Sequence, residues 1–465
     1  MDLLTLSGAY QEKKISPVEV VRQTLSDIQQ NNPACNAYIT VCEEEALEAA
    51  AQAEKEIMAG NKRGPLHGVP IAIKDMIFTK SVRTTMGSKV YQNFVPDIDA
   101  TVVHKCKEAG AILIGKTNTH EFAYGPIGDR SYFGPSRNPH DLEKITGGSS
   151  GGSGAAVAAN LAYAALGTDT GGSIRIPSAA CGIVGMKPTF GLVSKYGVFD
   201  LAYTLDHVGP MTKSVKDNAT LLNLLTGYDE KDPYSYVKAE EDYTRFIGQG
   251  VRKKVIGLPA FFFQNIEEEV MRAVHLAIDV YQSLGAEIRE VEIKGIEEIA
   301  EGQRITIQAE AYAVHERTIL EHANDLDSEV RERLISSKEV RGYQYVQVQH
   351  QRKRLIQQFN DSFGEVDVLL TPTLPILPTN IDQREVMIGD YQEGVRQALL
   401  RLTSPTNFTG NPGLSIPCGF SKSGLPIGFQ LIGMHREEAQ LYQFGYAYEQ
   451  TNSMKSSSTG NNPGE

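Results

Sequence analysis

Two glycine clusters carry serines, Gly147-Gly148-Ser149-Ser150-Gly151-Gly152-Ser153 and Thr170-Gly171-Gly172-Ser173-Ile174-Arg175, with Ser149 and Ser173 standing 24 residues apart. Glycine accepts positive φ and lets a backbone come close to a ligand, so such a cluster can bring amide N–H groups to a reacting atom. A serine inside it is a candidate nucleophile with oxyanion donors already in place. Ser173 directly follows Gly171-Gly172, which makes the N–H groups of Thr170, Gly171, Gly172 and Ser173 candidates for an oxyanion hole. Asp169 and Arg175 flank the loop and could hold its shape through hydrogen bonds.

Hydrolysing an amide also needs a base, and neither cluster contains a histidine. The other candidate is Lys74, at the end of Val69-Pro70-Ile71-Ala72-Ile73, which reads as a short buried strand delivering Lys74 and Asp75. A free lysine titrates near pH ~10.4, so acting as a base at neutral pH requires a downward shift of ~3 units, or ~4 kcal/mol. Burial can supply that. Ser149 could then relay the proton between Ser173 and Lys74.

The elements that must position these groups follow an α/β pattern. Ser16-Pro17-Val18-Glu19 is a capping box with proline at the first helical position, followed by an apolar stripe of Val18, Val21, Leu25 and Ile28. A second, alanine-rich helix is expected from about Glu43 to Ala59, its acidic start favoured by the helix dipole. Thr101 to Ala109 reads as a helix and Ala111 to Ile114 as a buried strand. A helix over Gly154 to Leu161 rises from the first glycine cluster, and a strand over Tyr163 to Leu166 runs into the second. Further on, Val255 to Leu258, Ile266 to Leu284 and Ala286 to Ile293 form a βαβ unit. Residues 297–361 are expected to be mostly helical, Val366 to Leu370 a strand, and 456–465 a disordered tail.

Bulk properties narrow the class. A chain of 465 residues with 41% hydrophobic and 22% charged residues is ordinary for a soluble globular protein. A net charge of −12 argues against a nucleic-acid-binding surface. Five cysteines (Cys35, Cys42, Cys106, Cys181 and Cys418) form no CxxC pair and suit a reducing compartment. With no signal-peptide start and no apolar run near 18 residues, a cytoplasmic location is expected. No cofactor or metal is called for.

Taken together, these motifs resemble the amidase signature family. The resemblance runs from about Leu4 to Glu449 and adds Gly64-Pro65-Leu66-His67-Gly68-Val69-Pro70, Gly115-Lys116-Thr117-Asn118, Gly185-Met186-Lys187-Pro188-Thr189 and Gly424-Leu425-Pro426-Ile427-Gly428. It implies a Ser–cisSer–Lys triad on Ser173, Ser149 and Lys74, with a cis peptide at Gly148–Ser149. It implies supporting roles for Ser150, Asp169 and Arg175, and a single α/β/α domain over 1–455 with a large central mixed sheet flanked by helices. The implied activity is cleavage of a carboxamide C–N bond through an acyl-enzyme.

Within that family, free-standing amidases differ from the A subunit of glutamyl-tRNA(Gln) amidotransferase, which releases ammonia from glutamine for a partner subunit. The amidotransferase chain usually carries Asp-Glu-Phe-Ala and an Arg-Gln-Pro where this one has His120-Glu121-Phe122-Ala123 and Arg175-Ile176-Pro177. Thr403 to Gly410, Glu310 to His315 and the Tyr343 to Phe359 helix also lean to the free amidases. The first expectation is therefore a free-standing amidohydrolase of a small-molecule amide, with a homodimer plausible and no nucleic acid or membrane as direct partner; the alternative is the amidotransferase A subunit, passing ammonia to a partner subunit. Substrate contacts are expected near Met86, Tyr124 and residues 312–410.

Two patterns are decoys. Gly110 to Thr117 spells a P-loop, but its Ala-Ile-Leu-Ile is itself a strand rather than a turn. Gly148-Ser149-Ser150-Gly151-Gly152 spells a nucleophile elbow around Ser150, but polar residues from Asn138 to Lys144 stand where the buried strand should be. Cys181, among alanines, reads as a packed residue, and His67 and His207 as structural.

Overall fold

The computed structural model describes residues 1–237 and 241–458. Its centre is an 11-stranded mixed sheet. From one edge the order is Tyr38–Val41, Ile112–Thr117, Pro70–Lys74, Ala164–Thr168, Val208–Thr212 and Val184–Lys187. It continues through Gly413–Phe420, Pro426–Ile432, Val368–Pro372, Val255–Pro259 and Glu287–Val291. The strand carrying Lys74 is buried throughout and pairs in parallel with both neighbours, Ile71 opposite Ala164 and Lys74 opposite Thr117. A strand covered on both faces needs no polar alternation, which is why this one reads as a continuous apolar run.

Helices cover both faces. Successive side chains of a strand point to opposite sides, and here Ile71 and Ile73 enter a core with Leu3, Val102, Leu222 and Val274. Ala72 faces the other way, into a layer with Val21, Ile28, Ala50, Ala155 and Ala165. Small side chains on that second face let the helix Gly151–Ala158 lie close to the sheet. Gly152 is required by the same closeness, since a Cβ there would meet Ala37 O and Asn118 N at 2.4 Å.

The expected helices at Pro17–Cys35, with both capping-box bonds present, Glu43–Met58 and Thr101–Glu108 are observed. So is the parallel βαβ unit of Val255–Pro259, Glu268–Ser283 and Glu287–Val291. Three boundaries move. The strand expected to end at Ile114 runs on to Thr117, and the one expected to stop at Leu166 ends at Thr168, because ladder pairing continues past the apolar run. The helix expected from Gly154 starts at Gly151, where glycines are admitted by close packing rather than by helix propensity. The last helix is Glu438–Ser458, and the remainder of the expected tail, 459–465, lies outside the described residues. No helix among the described residues is long and apolar enough to cross a membrane.

Candidate active site

Strand alternation turns Lys74 toward the face of Ala72, where the helix Gly151–Ala158 begins. Lys74 is fully buried, and its Nζ is hydrogen-bonded to Ser149 Oγ and Thr168 Oγ1, each at 2.6 Å. Burial pushes its pKa down to about 7, against the opposing pull of the Asp169 and Asp206 carboxylates. The Gly148–Ser149 peptide bond is cis.

The two serine loops are tied together. Ser150 N–H donates to the Ser173 carbonyl (3.2 Å), while Ser150 Oγ donates to Thr168 O (3.1 Å) and accepts from Thr168 N–H (3.2 Å). Ser173 is 6% exposed, and among the described residues its Oγ has no hydrogen-bond partner. Nucleophile–base contacts of this kind often close only when substrate arrives.

Asp169 shapes the second loop from inside. Its carboxylate accepts from Gly172 N–H (2.7 Å), Ile174 N–H (3.1 Å) and Arg175 Nε and Nη2 (3.1 Å each), with both side chains of the ion pair fully buried. Burial raises the Asp169 pKa, but the adjoining Arg175 charge outweighs it and holds the carboxyl well below the usual range. Arg175 also donates to Thr406 Oγ1 (2.7 Å), Asn407 Oδ1 (2.8 Å) and Gln430 Oε1 (3.1 Å). Because its N–H goes to Asp169, Gly172 is already occupied in this conformation. The N–H groups of Thr170, Gly171 and Ser173 have no acceptor among the described residues. Asp169→Ala should therefore cost about 3–5 kcal/mol, since it leaves a buried guanidinium uncompensated. Urea denaturation reads this directly, and a loss under about 1 kcal/mol would mean the loop stands without the pair.

Several contributors were not singled out as site residues in the sequence, and most of them lie far from the glycine clusters. Thr168 holds Lys74, Asp206 Oδ1 accepts from Thr170 Oγ1 (2.5 Å), and Asn407 Nδ2 donates to Asp169 Oδ1 (2.8 Å). Thr403 Oγ1 donates to Gly171 O (2.6 Å). His207, read as structural, exchanges backbone bonds with Asp169 and is hydrogen-bonded through Nε2 to buried Lys187. Cys181 is packed at 1% exposure, and all five cysteines are free. Met86 and Tyr124 share an apolar cluster with Phe122, Ala311, Val330 and Leu334, which joins loops that lie far apart in the chain.

The decoys resolve on burial. Lys116, the lysine of the P-loop pattern, is buried on a strand and held by Ile77 O (2.8 Å), Thr84 Oγ1 (2.6 Å) and Asp75 (3.4 Å). Ser150 is preceded by a small two-stranded hairpin, Arg137–Asn138 and Asp141–Ile145, rather than by a buried strand. A cavity of about 530 Å³ lined by Lys14, Asp27, Tyr163 and Lys213 opens where the strands Pro70–Lys74 and Ala164–Thr168 begin, at the opposite end from Lys74 and Thr168.

A mixed sheet between helical layers, with a buried lysine against a serine-rich turn, defines an amide hydrolase of the amidase-signature class. The chain belongs to the Amidase family, whose model matches residues 19–442. It is 42% identical over 464 residues to the glutamyl-tRNA(Gln) amidotransferase A subunit of Geobacter sp. (strain M21), covering 94% of each chain. In structure it resembles the corresponding protein from Thermotoga maritima, with a TM-score of 0.79 at 33% identity over 95% of each chain. It also resembles a chain of a vestigial protein complex tied to the origins of an s-triazine catabolic enzyme, with a TM-score of 0.93 at 30% identity over 97% and 98% of the two chains.

These relatives overturn the first expectation, a free-standing chain acting on a small-molecule amide without a partner subunit, and favour the amidotransferase alternative. The likeness to an amidotransferase subunit spans nearly the whole of both chains. The two motif substitutions that suggested otherwise are buried. Ile176 is fully buried in a cluster with Ile127 and Val395, and His120 is 1% exposed. Residues of that kind report on local packing and on the site, not on whether a partner binds the surface.

Proposed function

We propose that this chain is the amide-cleaving subunit of an amidotransferase, releasing ammonia from the side-chain amide of glutamine for a partner subunit, in the cytoplasm. Ser173 Oγ attacks the carboxamide carbon as its proton passes to Ser149 Oγ and the Ser149 proton passes to the lone pair of Lys74. The new C–O bond pushes the carbonyl π pair onto oxygen, which backbone N–H groups of the 170–173 loop receive. On collapse the C–N bond breaks, the nitrogen takes a proton back through the same relay, and ammonia leaves. Water repeats the sequence on the ester and restores Ser173.

The observation that carries this reading is a fully buried Lys74 with its pKa near 7, 2.6 Å from Ser149 Oγ. A lysine in water would be charged and useless as a base at that pH. The amidotransferase assignment is supported by the 42% identity to a protein of that name.

Because the base must be unprotonated, kcat/KM should fall on the acid side with a midpoint near pH 7 set by Lys74, about tenfold per unit below it. A flat profile between pH 5 and 8 would remove Lys74 as the base. Ammonia release from glutamine should be slow for the chain alone and rise when the other amidotransferase subunits are added. Turnover of simple aliphatic amides with none of glutamine, partners present or absent, would overturn the assignment.

A further inference from the structure

A backbone N–H shares its peptide unit with the carbonyl of the residue before it, and across a trans bond the two point in opposite directions. The Asp169–Thr170 bond is trans. The Thr170 N–H belongs to a residue 3% exposed and has no acceptor among the described residues. The carbonyl at the other end of that peptide, Asp169 O, is crowded with donors. It accepts from His207 N–H (3.1 Å), His207 Nδ1 (3.1 Å) and Asn407 Nδ2 (3.0 Å). A carbonyl oxygen offers two lone pairs, so three donors on one atom hold the peptide plane firmly. Hydrogen bonds accepted by a carbonyl also polarise its amide and strengthen the N–H of the same unit as a donor.

His207 stands opposite Asp169 because the antiparallel pairing of Ala164–Thr168 with Val208–Thr212 runs one step past Thr168 and Val208, where His207 and Asp169 exchange N–H bonds. The imidazole is 3% exposed, and its Nδ1 faces two carbonyls, Asp169 O and Leu205 O (2.7 Å), which assigns the ring proton to Nδ1. Nε2 is then an acceptor. Its donor is Lys187 Nζ at 3.2 Å, from a fully buried lysine at the end of the strand Val184–Lys187 that also donates to Pro188 O (3.0 Å). Burial pushes both the imidazole and the amine toward their neutral forms. Asp206, next to His207, takes the Thr170 hydroxyl on Oδ1 and the N–H groups of Leu201 and Ala202 on Oδ2. The proton path from Ser173 to Lys74 uses neither His207 nor Lys187.

We infer that His207, with its ring proton fixed on Nδ1 by Lys187, is a positioning residue for the oxyanion hole: it holds and polarises the Asp169–Thr170 peptide so that the Thr170 N–H meets the negative oxygen formed at Ser173. This deepens the reading above and rests on acyl transfer at Ser173. Because that negative oxygen exists only in the transition state and the intermediate, the effect belongs in kcat rather than in substrate binding.

The test compares the full-length chain with its His207→Phe, His207→Asn and Lys187→Met variants. Two rates are read: ammonia release from glutamine, and covalent labelling of Ser173 by a fluorophosphonate, which builds the same charge on a phosphoryl oxygen. His207→Phe should lower kcat about 10- to 100-fold with KM within about threefold, and slow labelling by a similar factor. His207→Asn, whose Nδ2 stands where Nδ1 stood, should return kcat to within about fivefold of the unmutated chain. Lys187→Met frees the ring proton to leave Nδ1 and should lower kcat about tenfold. The acid limb should keep its midpoint in all three, since Lys74 is untouched. A merely structural role would lower the melting temperature without a selective loss of kcat and without rescue by asparagine. If His207→Phe does not fold, the double variant with Lys187→Met, which removes the buried amine as well, takes its place. Nitrogen NMR of the histidine-labelled chain gives a reading independent of any variant: His207 neutral with its proton on Nδ1 at neutral pH is expected, and the other tautomer overturns the inference. So does a folded His207→Phe that keeps its kcat, or an asparagine variant no better than the phenylalanine one. Failure of the unmutated chain to label at Ser173 would instead sink the nucleophile reading, and the inference with it.

Discussion

Ser173→Ala is expected to lower kcat by roughly 10⁵- to 10⁶-fold, because a nucleophile and its relay act as a unit and what remains is binding and oxyanion stabilisation alone. The fold should not notice. Ser173 Oγ has no hydrogen-bond partner among the described residues, so its removal leaves no orphaned group, and stability should stay within about 0.5 kcal/mol. A fluorophosphonate should label the unmutated chain at Ser173 and fail to label the variant. Retention of more than about one part in a hundred of the activity would move the nucleophile elsewhere, and Ser149 would be the first place to look.

Lys74→Met should have the opposite balance. Activity is expected to fall by roughly 10⁴-fold or more with loss of the base, while the protein becomes more stable near neutral pH. Proton linkage gives the sign. The unfolded chain keeps this lysine protonated up to about pH 10.4. The folded chain gives up the proton near pH 7. Between those values the unfolded state binds more protons, so the stability of the unmutated protein rises with pH. The burial penalty is therefore complete below pH 7 and fades toward the unfolded pKa. A fall from the ordinary 10.5 to about 7 corresponds to roughly 4–5 kcal/mol. The unpartnered hydroxyls of Ser149 and Thr168 would return part of that, at about 1 kcal/mol each. The stability advantage of Lys74→Met should thus be greatest at or below pH 7 and vanish by about pH 10. An advantage that does not change with pH would mean the lysine is not carrying this penalty.

Together the two variants separate roles that an activity assay alone would merge. One removes a buried hydroxyl that no hydrogen bond among the described residues holds. The other removes an amine held at the end of a strand by the whole sheet. Only the second should show a pH-dependent stability difference, because only it titrates between the folded and unfolded states.

Some of this site was readable from local composition. Pro70 to Ile73 is a continuous apolar run, and a strand buried on both faces must look like that, so the strand was readable. A lysine at its end would by itself most often be solvated, and only the glycine clusters pointed to its burial. Ser16-Pro17-Val18-Glu19 predicted its helix start because the capping groups lie within one turn. The shell around Asp169 was not readable. Thr406, Asn407 and Gln430 meet Arg175 from more than 230 positions away, and no local rule of spacing couples such residues. Thr168 stands only two residues before the second glycine cluster, but its contact with Lys74 depends on the register between two parallel strands.

What this chain's residues determine on their own is the chemistry available: a serine pair in backbone-rich turns, a lysine on an apolar strand, and the family those motifs mark. The assembled fold alone decides which of those groups meet and in what charge state. Dielectric environment and neighbouring charge belong to the folded interior rather than to any stretch of chain, so the proton affinity of Lys74 exists only once distant strands and helices have closed around it.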